Sequence, residues 1–453
     1  MNTEQQGVLD QIVLSMRAGR LSRRTFLERA LSIGLTAGSA TALLEACGMI
    51  SKDGDKPNII VWQSEYDAQG IFGNLVNAFN DRHPESHVIY RNGAPSSDNQ
   101  YSEISQMLKA HKNSIDVISI DIIWLPEFAD QGWIIPLDQT VEDVVQQKYS
   151  SIPWVIEGCR YAKGESEGGQ LYSAPLRVDI GVLYYRSDVT STPPKTWQDL
   201  IAQANEVRSK REDIPGGFVW QGSQQEGLVC DFVEVLAGYG GSILDSQGKV
   251  ALNRSNYRVA VDALTAMMNW SAISPKDIST YDEESAVVRW QNGFAVFMRN
   301  WYNALSQVTD PTTEVSKSAY FTSIPHGEKQ QIGYSCVGGW QLGVNAASQN
   351  QELAWQFIKE IINDRTTKSL VTSDLLSAHP DDALRSDTSI AEIAKHLVVR
   401  PRSPRYMIMS TKIQSSIFDA ISAASYQDRA KQRDIAVSAL KRLQADLESI
   451  TNT

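Results

Sequence analysis

The chain has 453 residues, 53 acidic and 42 basic side chains, a formal net charge of −11 and 42% hydrophobic residues. At about 150 residues per domain, that length makes about two or three domains with ample core. The acidic balance excludes a general nucleic-acid binder, which needs a basic face against phosphate. Four Cys in so long a chain exclude a disulfide-stapled scaffold, while eleven Trp and sixteen Tyr supply rings for cores or for flat-faced ligands.

The first 46 residues read as an address. Ser22-Arg23-Arg24-Thr25-Phe26-Leu27 resembles a twin-arginine export consensus, and the apolar run Ala30 to Leu44 follows it, diluted by Gly34, Ser32, Gly38, Ser39 and Thr41. Fifteen residues are too few for a spanning helix, which needs about 20. The run ends in Leu44-Glu45-Ala46-Cys47-Gly48, which resembles a lipoprotein processing site with Cys47 as the lipid acceptor; Glu45 departs from the small or apolar residue usual there. Residues 47–56 are then a tether, and the acylated chain is held on a membrane surface. No later stretch is long and apolar enough to span a membrane, so the body works outside the cell membrane.

From Asn58 the pattern is α/β. A strand at Asn58–Trp62, a helix at Ile71–Phe79, a strand around His87–Tyr90, a helix at Tyr101–Ala110 and a strand at Ile115–Asp121 predict crossover connections and a largely parallel sheet. Leu171–Arg186 reads as a pair of extended runs, followed by a helix led by Lys195-Thr-Trp-Gln-Asp-Leu200. A second α/β body has strands near Phe218–Trp220 and Ala295–Met298 and helices near Gly227–Leu236 and Tyr257–Met268. Gly339–Val344 is one more strand, Gln351–Ile362 an amphipathic helix, and Ile413–Leu447 a helical stretch. Trp62, Trp197, Trp220, Trp290 and Trp355 fall in these patterns as core residues.

Six stretches, in order, resemble the sugar-binding lipoproteins of ABC importers, the extracellular solute-binding family 1, and within it the trehalose/maltose branch. They are Asp116–Asp138, Leu171–Val189, Pro193–Leu200, Phe218–Gly241, Phe294–Leu305 and Gly338–Ser348. The resemblance implies a type II periplasmic-binding-protein fold, with two α/β lobes joined by hinge strands and a ligand cleft between them. Lobe one would hold residues 57–175 and 327–364, and lobe two 176–326 and 365–453. It also implies a non-enzymatic monomer with no cofactor, which captures an α-linked disaccharide and delivers it to an ABC permease served by a separate ATPase.

A disaccharide offers hydroxyls, which carboxylates accept in charge-assisted hydrogen bonds, and apolar ring faces, which aromatic side chains cover. Asp121, at a strand end three residues before Trp124, and Asp179, just inside the second lobe, match family ligand acids, as does Glu65 after the first strand. The alternative roles are a helix cap for Asp121 and a pair with Arg177 for Asp179. Trp301 and Trp340 match stacking platforms, with Gly338 permitting close approach. Glu226 would add a carboxylate or cap the following helix, Arg405 lies in a segment similar to a cleft loop, and Asn99 and Gln100 are suggested by spacing alone.

Other chemistry finds no motif. Only His83 and His87 fall four apart, with Pro84 between them, so no helix presents a paired metal site; Walker A, GxGxxG, HExxH and GxSxG sequences are absent. Cys159, Cys230 and Cys336 allow one disulfide of unassigned pairing. The competing readings are a glycoside hydrolase built on paired carboxylates and a receptor of the same fold for another solute. An iron receptor using Tyr184 and Tyr185 is disfavoured, because adjacent strand residues face opposite ways.

Overall fold

A computed structural model describes residues 8–9, 12–13, 23–35, 58–67, 70–162, 169–252, 256–364, 390–424 and 427–451. Cys47 and the tether lie outside these residues. The elements run α1 (Arg23–Ser32), β1 (Asn58–Gln63), α2 (Ile71–Arg82), β2 (Ser86–Arg91), α3 (Ser97–Lys109), β3 (Val117–Asp121), α4 (Leu125–Asp130), α5 (Gln139–Tyr149), α6 (Pro153–Gly158), β4 (Arg160–Tyr161), β5 (Gln170–Leu171) and β6 (Ala174–Arg186). They continue with α7 (Trp197–Lys210), β7 (Gly216–Val219), α8 (Glu226–Gly238), α9 (Tyr257–Trp270), α10 (Glu283–Gln291), β8 (Ala295–Trp301), α11 (Leu305–Val308), β9 (Ala319–Thr322) and β10 (Ser335–Val344). The last are α12 (Gln351–Asn363), α13 (Ile390–Ile393), β11 (Leu397–Val398), α14 (Tyr406–Ala424) and α15 (Arg429–Thr451). No helix among the described residues is long and apolar enough to cross a membrane.

The chain forms two compact units, Met1–Leu176 with Trp340–Thr367 and Arg177–Gly339 with Lys368–Thr453. Residues 327–339, expected with the first lobe, therefore belong to the second unit. The reason is local: Gly327 donates its N–H to Gly238 O (2.9 Å), and the Cys336 N–H reaches Glu234 on α8.

In the first unit β1 runs parallel to both β2 and β3, as the alternating pattern predicts. β10 then pairs antiparallel with β3, from Trp340 opposite Asp121 to Val344 opposite Val117, so the sheet is mixed rather than largely parallel. All five residues of β3 are buried, as befits a strand covered on both faces. α2 contributes Phe72, Leu75, Val76 and Phe79 at helical spacing, and α12 contributes Phe357. Trp62 is the centre of this core, edge-on to Phe72, Tyr90 and Phe357 at 5.5 Å each. Trp355 departs from its expected core position and is only half-buried on the flank of α12.

In the second unit β6 pairs antiparallel with β8 and β9, and β7 lies parallel to β8. α8 is buried nearly all round because α9 and α14 pack on it. Trp270 gathers Trp197, Trp220 and Phe218 at 4.7, 5.1 and 5.2 Å. The helix after Pro193-Pro194 opens with a capping box, in which the Thr196 hydroxyl accepts the Asp199 N–H and the Asp199 carboxylate accepts the Thr196 N–H. The C-terminal helical stretch is two helices, α14 and α15, packed on each other. Tyr184 donates its hydroxyl to Trp301 O (2.9 Å) while Tyr185 lies against Tyr320, so the adjacent tyrosines do face apart.

Candidate functional site

In the first unit, the parallel run of β1, β2 and β3 puts their carboxyl ends at one sheet edge, where functional groups of α/β folds collect. Asp121 is the last residue of β3, and Glu65 follows β1 by two residues. The antiparallel register of β10 sets Trp340 directly across from Asp121. An acid and an indole thus stand side by side. The Asp121 carboxylate accepts the Ser97 hydroxyl (2.9 Å) and the Ile123 N–H (3.3 Å), which keeps it oriented at the start of the turn into α4. Trp340 is 9% exposed and meets Trp124 edge-to-face, at 5.3 Å and 90°. Glu65 is fully buried, and Tyr66 beside it is exposed.

The guesses from spacing fare differently. Gln100 is buried and donates its amide to Ser64 O at 2.8 Å, which holds the chain after β1 in place. Asn99 is exposed in the first turn of α3, its N–H on the Ser96 cap.

The second unit gathers Asp179, Trp301 and Gly338. A Cβ on Gly338 would meet Trp301 ring carbons at 3.0 and 3.1 Å and Asp179 Cβ at 3.4 Å, so glycine is what lets ring, strand and acid meet. Gly339 next to it has φ +129°, and a Cβ there would lie 2.5 Å from Arg177 O. Asp179 is buried and paired with Arg177 at 3.4 Å, so the charge pair weighed from sequence is present alongside its place next to Trp301 and Gly338.

Beneath Trp301 lies a buried ionic set that the sequence reading missed. Arg299, 1% exposed, carries its guanidinium 4.3 Å from the centre of the Trp301 ring. Glu234 takes it in a two-pronged bond (2.9 and 2.7 Å), Asp231 lies 3.1 Å away, and Gln221 accepts a further N–H at 3.2 Å. Burial pushes the Asp231 carboxyl well above its usual range, against the pull of Arg299. Residues 299 and 301 lie on one face of β8 by the two-residue repeat of a strand, which is the signal that would have found Arg299. Glu283 accepts the Trp301 indole N–H at 3.3 Å, and burial raises its carboxyl as well.

Two candidates are committed elsewhere. Glu226 accepts Arg400 (2.8 Å) and Tyr406 (2.5 Å) on one oxygen and Ser410 (2.5 Å) on the other, tying α8 to α14. It is a buried structural carboxylate, and the residue at the helix cap is Gln225. Arg405 donates to Ile450 O at 2.8 Å, satisfying a carbonyl in the last turn of α15. Among the described residues no group of three His, Cys, Asp or Glu side chains is placed to hold a metal ion.

Residues 64–368 match the profile of the bacterial extracellular solute-binding proteins, well over half the chain. The chain belongs to that family. This solute-binding protein is 28% identical over 372 residues to a probable ABC transporter-binding protein of Deinococcus radiodurans, covering 78% of this chain and 84% of that one. It is 22% identical over 325 residues to a maltotriose-binding protein of Pyrococcus abyssi, covering 67% and 65%. Among solved structures, maltose-bound MalE3 of T. maritima matches with a TM-score of 0.73 at 26% identity, over 85% of this chain and 99% of that one. The fold is accordingly the type II periplasmic-binding-protein fold. As a family member the chain is an exported, extracytoplasmic binding protein and not an enzyme.

Proposed function

We propose that this solute-binding protein is the sugar receptor of an ABC importer, capturing an α-linked disaccharide of the trehalose or maltose type by hinge closure and handing it to a membrane permease. The observation that carries the reading is the Trp340–Asp121 register pair, a carboxylate for hydroxyls fixed beside an indole for a sugar face. The Asp179, Trp301 and Gly338 group repeats that chemistry in the second unit, and Glu65 adds an acid in the first. The names of the Deinococcus and Pyrococcus relatives and the maltose in MalE3 support both the transporter and the sugar class. Titration of trehalose, maltose, sucrose, maltodextrins and monosaccharides, followed by tryptophan fluorescence, tests it. A saturable response to one disaccharide is expected; no response to any sugar would send the assignment to another solute.

In the same reading residues 1–46 are a twin-arginine export signal, and lipidated Cys47 holds a monomeric receptor on the outer face of the membrane. Cys47→Ser is expected to leave sugar binding intact and release the protein from membranes. Continued membrane association of that variant would refute the anchor.

A further inference from the structure

Trp301 ends β8 and is half-buried, so part of its indole still meets solvent. Three groups bear on the ring. The Arg299 guanidinium covers one face at 4.3 Å. Gly338 lies against the outer benzo carbons, where a Cβ would sit 3.0 and 3.1 Å from Cζ3 and Cη2. The Glu283 carboxylate holds the pyrrole edge by accepting the indole N–H at 3.3 Å.

Glu283 is itself fixed. It opens α10, whose cap residue Asp282 accepts the Ser285 N–H at 2.8 Å, so a capped helix end sets where the acid stands against the strand. Asn300, 1% exposed, clasps both residues: its amide donates to Glu283 O at 2.9 Å, and its side-chain oxygen accepts the Trp301 N–H at 2.8 Å. Glu283 Oε2 accepts the Gln225 amide at 3.4 Å. Gly227 on α8 leaves the room for Oε1, because a Cβ there would lie 2.8 Å from it. The Trp301 carbonyl accepts the Tyr184 hydroxyl at 2.9 Å, so the backbone that carries the ring is tied as well.

We propose that Glu283 is the positioning residue of the second unit: through the indole N–H it fixes the rotation of Trp301, with Arg299 on one face, so that the opposite face is presented flat to a sugar ring. The role of the open face rests on the sugar-receptor reading, whereas the clasp on the indole does not. Freezing the ring before ligand arrives removes rotamer entropy that binding would otherwise have to meet. The sugar does not touch Glu283 in this role; the acid acts through the ring.

The test follows the indole N–H signals of the full chain by two-dimensional NMR, with Trp301 assigned by its loss in Trp301→Phe. Glu283→Met keeps volume without a good acceptor, Glu283→Gln keeps an acceptor without the charge, and Glu283→Ala replaces Glu283→Met where the longer side chain does not fold. In the ligand-free protein the Trp301 N–H is expected to move upfield and exchange faster with water in Glu283→Met, and to stay near its wild-type position in Glu283→Gln. With the disaccharide that the fluorescence panel identifies, affinity is expected to fall about three- to tenfold in Glu283→Met, the worth of one lost hydrogen bond, and to recover in Glu283→Gln. An unmoved indole signal in Glu283→Met would overturn the proposal. So would wild-type sugar affinity in Glu283→Met or in Trp301→Ala, or a Glu283→Gln as weak as Glu283→Met. A wild type that binds no sugar fails the receptor reading, and the indole signal then decides the clasp alone.

Discussion

The two units present the same pair of chemistries on different foundations. In the first, Trp340 rests edge-on against Trp124 while Asp121 takes hydrogen bonds from a hydroxyl and a backbone amide. In the second, Trp301 lies over Arg299, whose charge is held inside the unit by Glu234 and Asp231. A ring packed on another ring can lose its own contacts without stranding a charge. A ring set on a buried ionic set depends on charges that fail together, because removal of one partner leaves the others desolvated and uncompensated. On the proposed function, the first unit would therefore separate sugar recognition from stability, and the second would couple them.

That contrast is broken or sharpened by substitution. Arg299→Met strands two buried carboxylates and is expected to cost about 3 to 5 kcal/mol of stability in chemical denaturation; an unchanged midpoint would show that the ionic set carries little. Glu226→Ala strands Arg400 in the same unit and is expected to cost a similar amount, about 3 kcal/mol or more, while sugar affinity stays at the wild-type value by calorimetry. Asp121→Ala in the first unit should show the reverse, a loss of about 2 to 4 kcal/mol of sugar affinity with a small change in melting temperature. Gly338→Ala pushes a methyl to 3.0 Å from the Trp301 ring, and the overpacking is expected to cost about 1 kcal/mol or more, read as weakened binding and altered tryptophan fluorescence.

At the surface the units behave alike. Hydrogen bonds from Thr140 lower the Asp138 carboxyl in the first unit, and the Arg211 guanidinium lowers Asp213 to about 2 in the second. A depressed carboxyl stabilises the fold above its unfolded pKa, and that contribution is lost as pH falls through the folded value. For Asp213 the window runs from the ordinary carboxylate range down to about 2, and carboxyl NMR titration should find it ionised well below pH 4. A normal titration would remove the Arg211 contact from the account.

Much of this was legible from residues. The β-branched run ending at Asp121 announced a strand and where it stops, and the spacing of Trp62, Trp197, Trp220 and Trp290 announced the cores. The partners of Glu226 were not legible, because Arg400, Tyr406 and Ser410 are more than 170 residues away and only folding brings them together. The antiparallel seat of β10 was hidden for a similar reason, since strand direction at a long return is set by topology and not by periodicity. Arg299 was within reach, because an arginine two residues before Trp301 on one strand must share its face.

The most direct test of the central claim is isothermal titration calorimetry of the wild type, Asp121→Ala and Asp179→Ala with the disaccharide that the fluorescence panel identifies. The account predicts 1:1 binding by the wild type and affinity lowered at least tenfold, about 1.4 kcal/mol, in each variant. Wild-type affinity in either variant would contradict the sugar-binding role proposed for that acid.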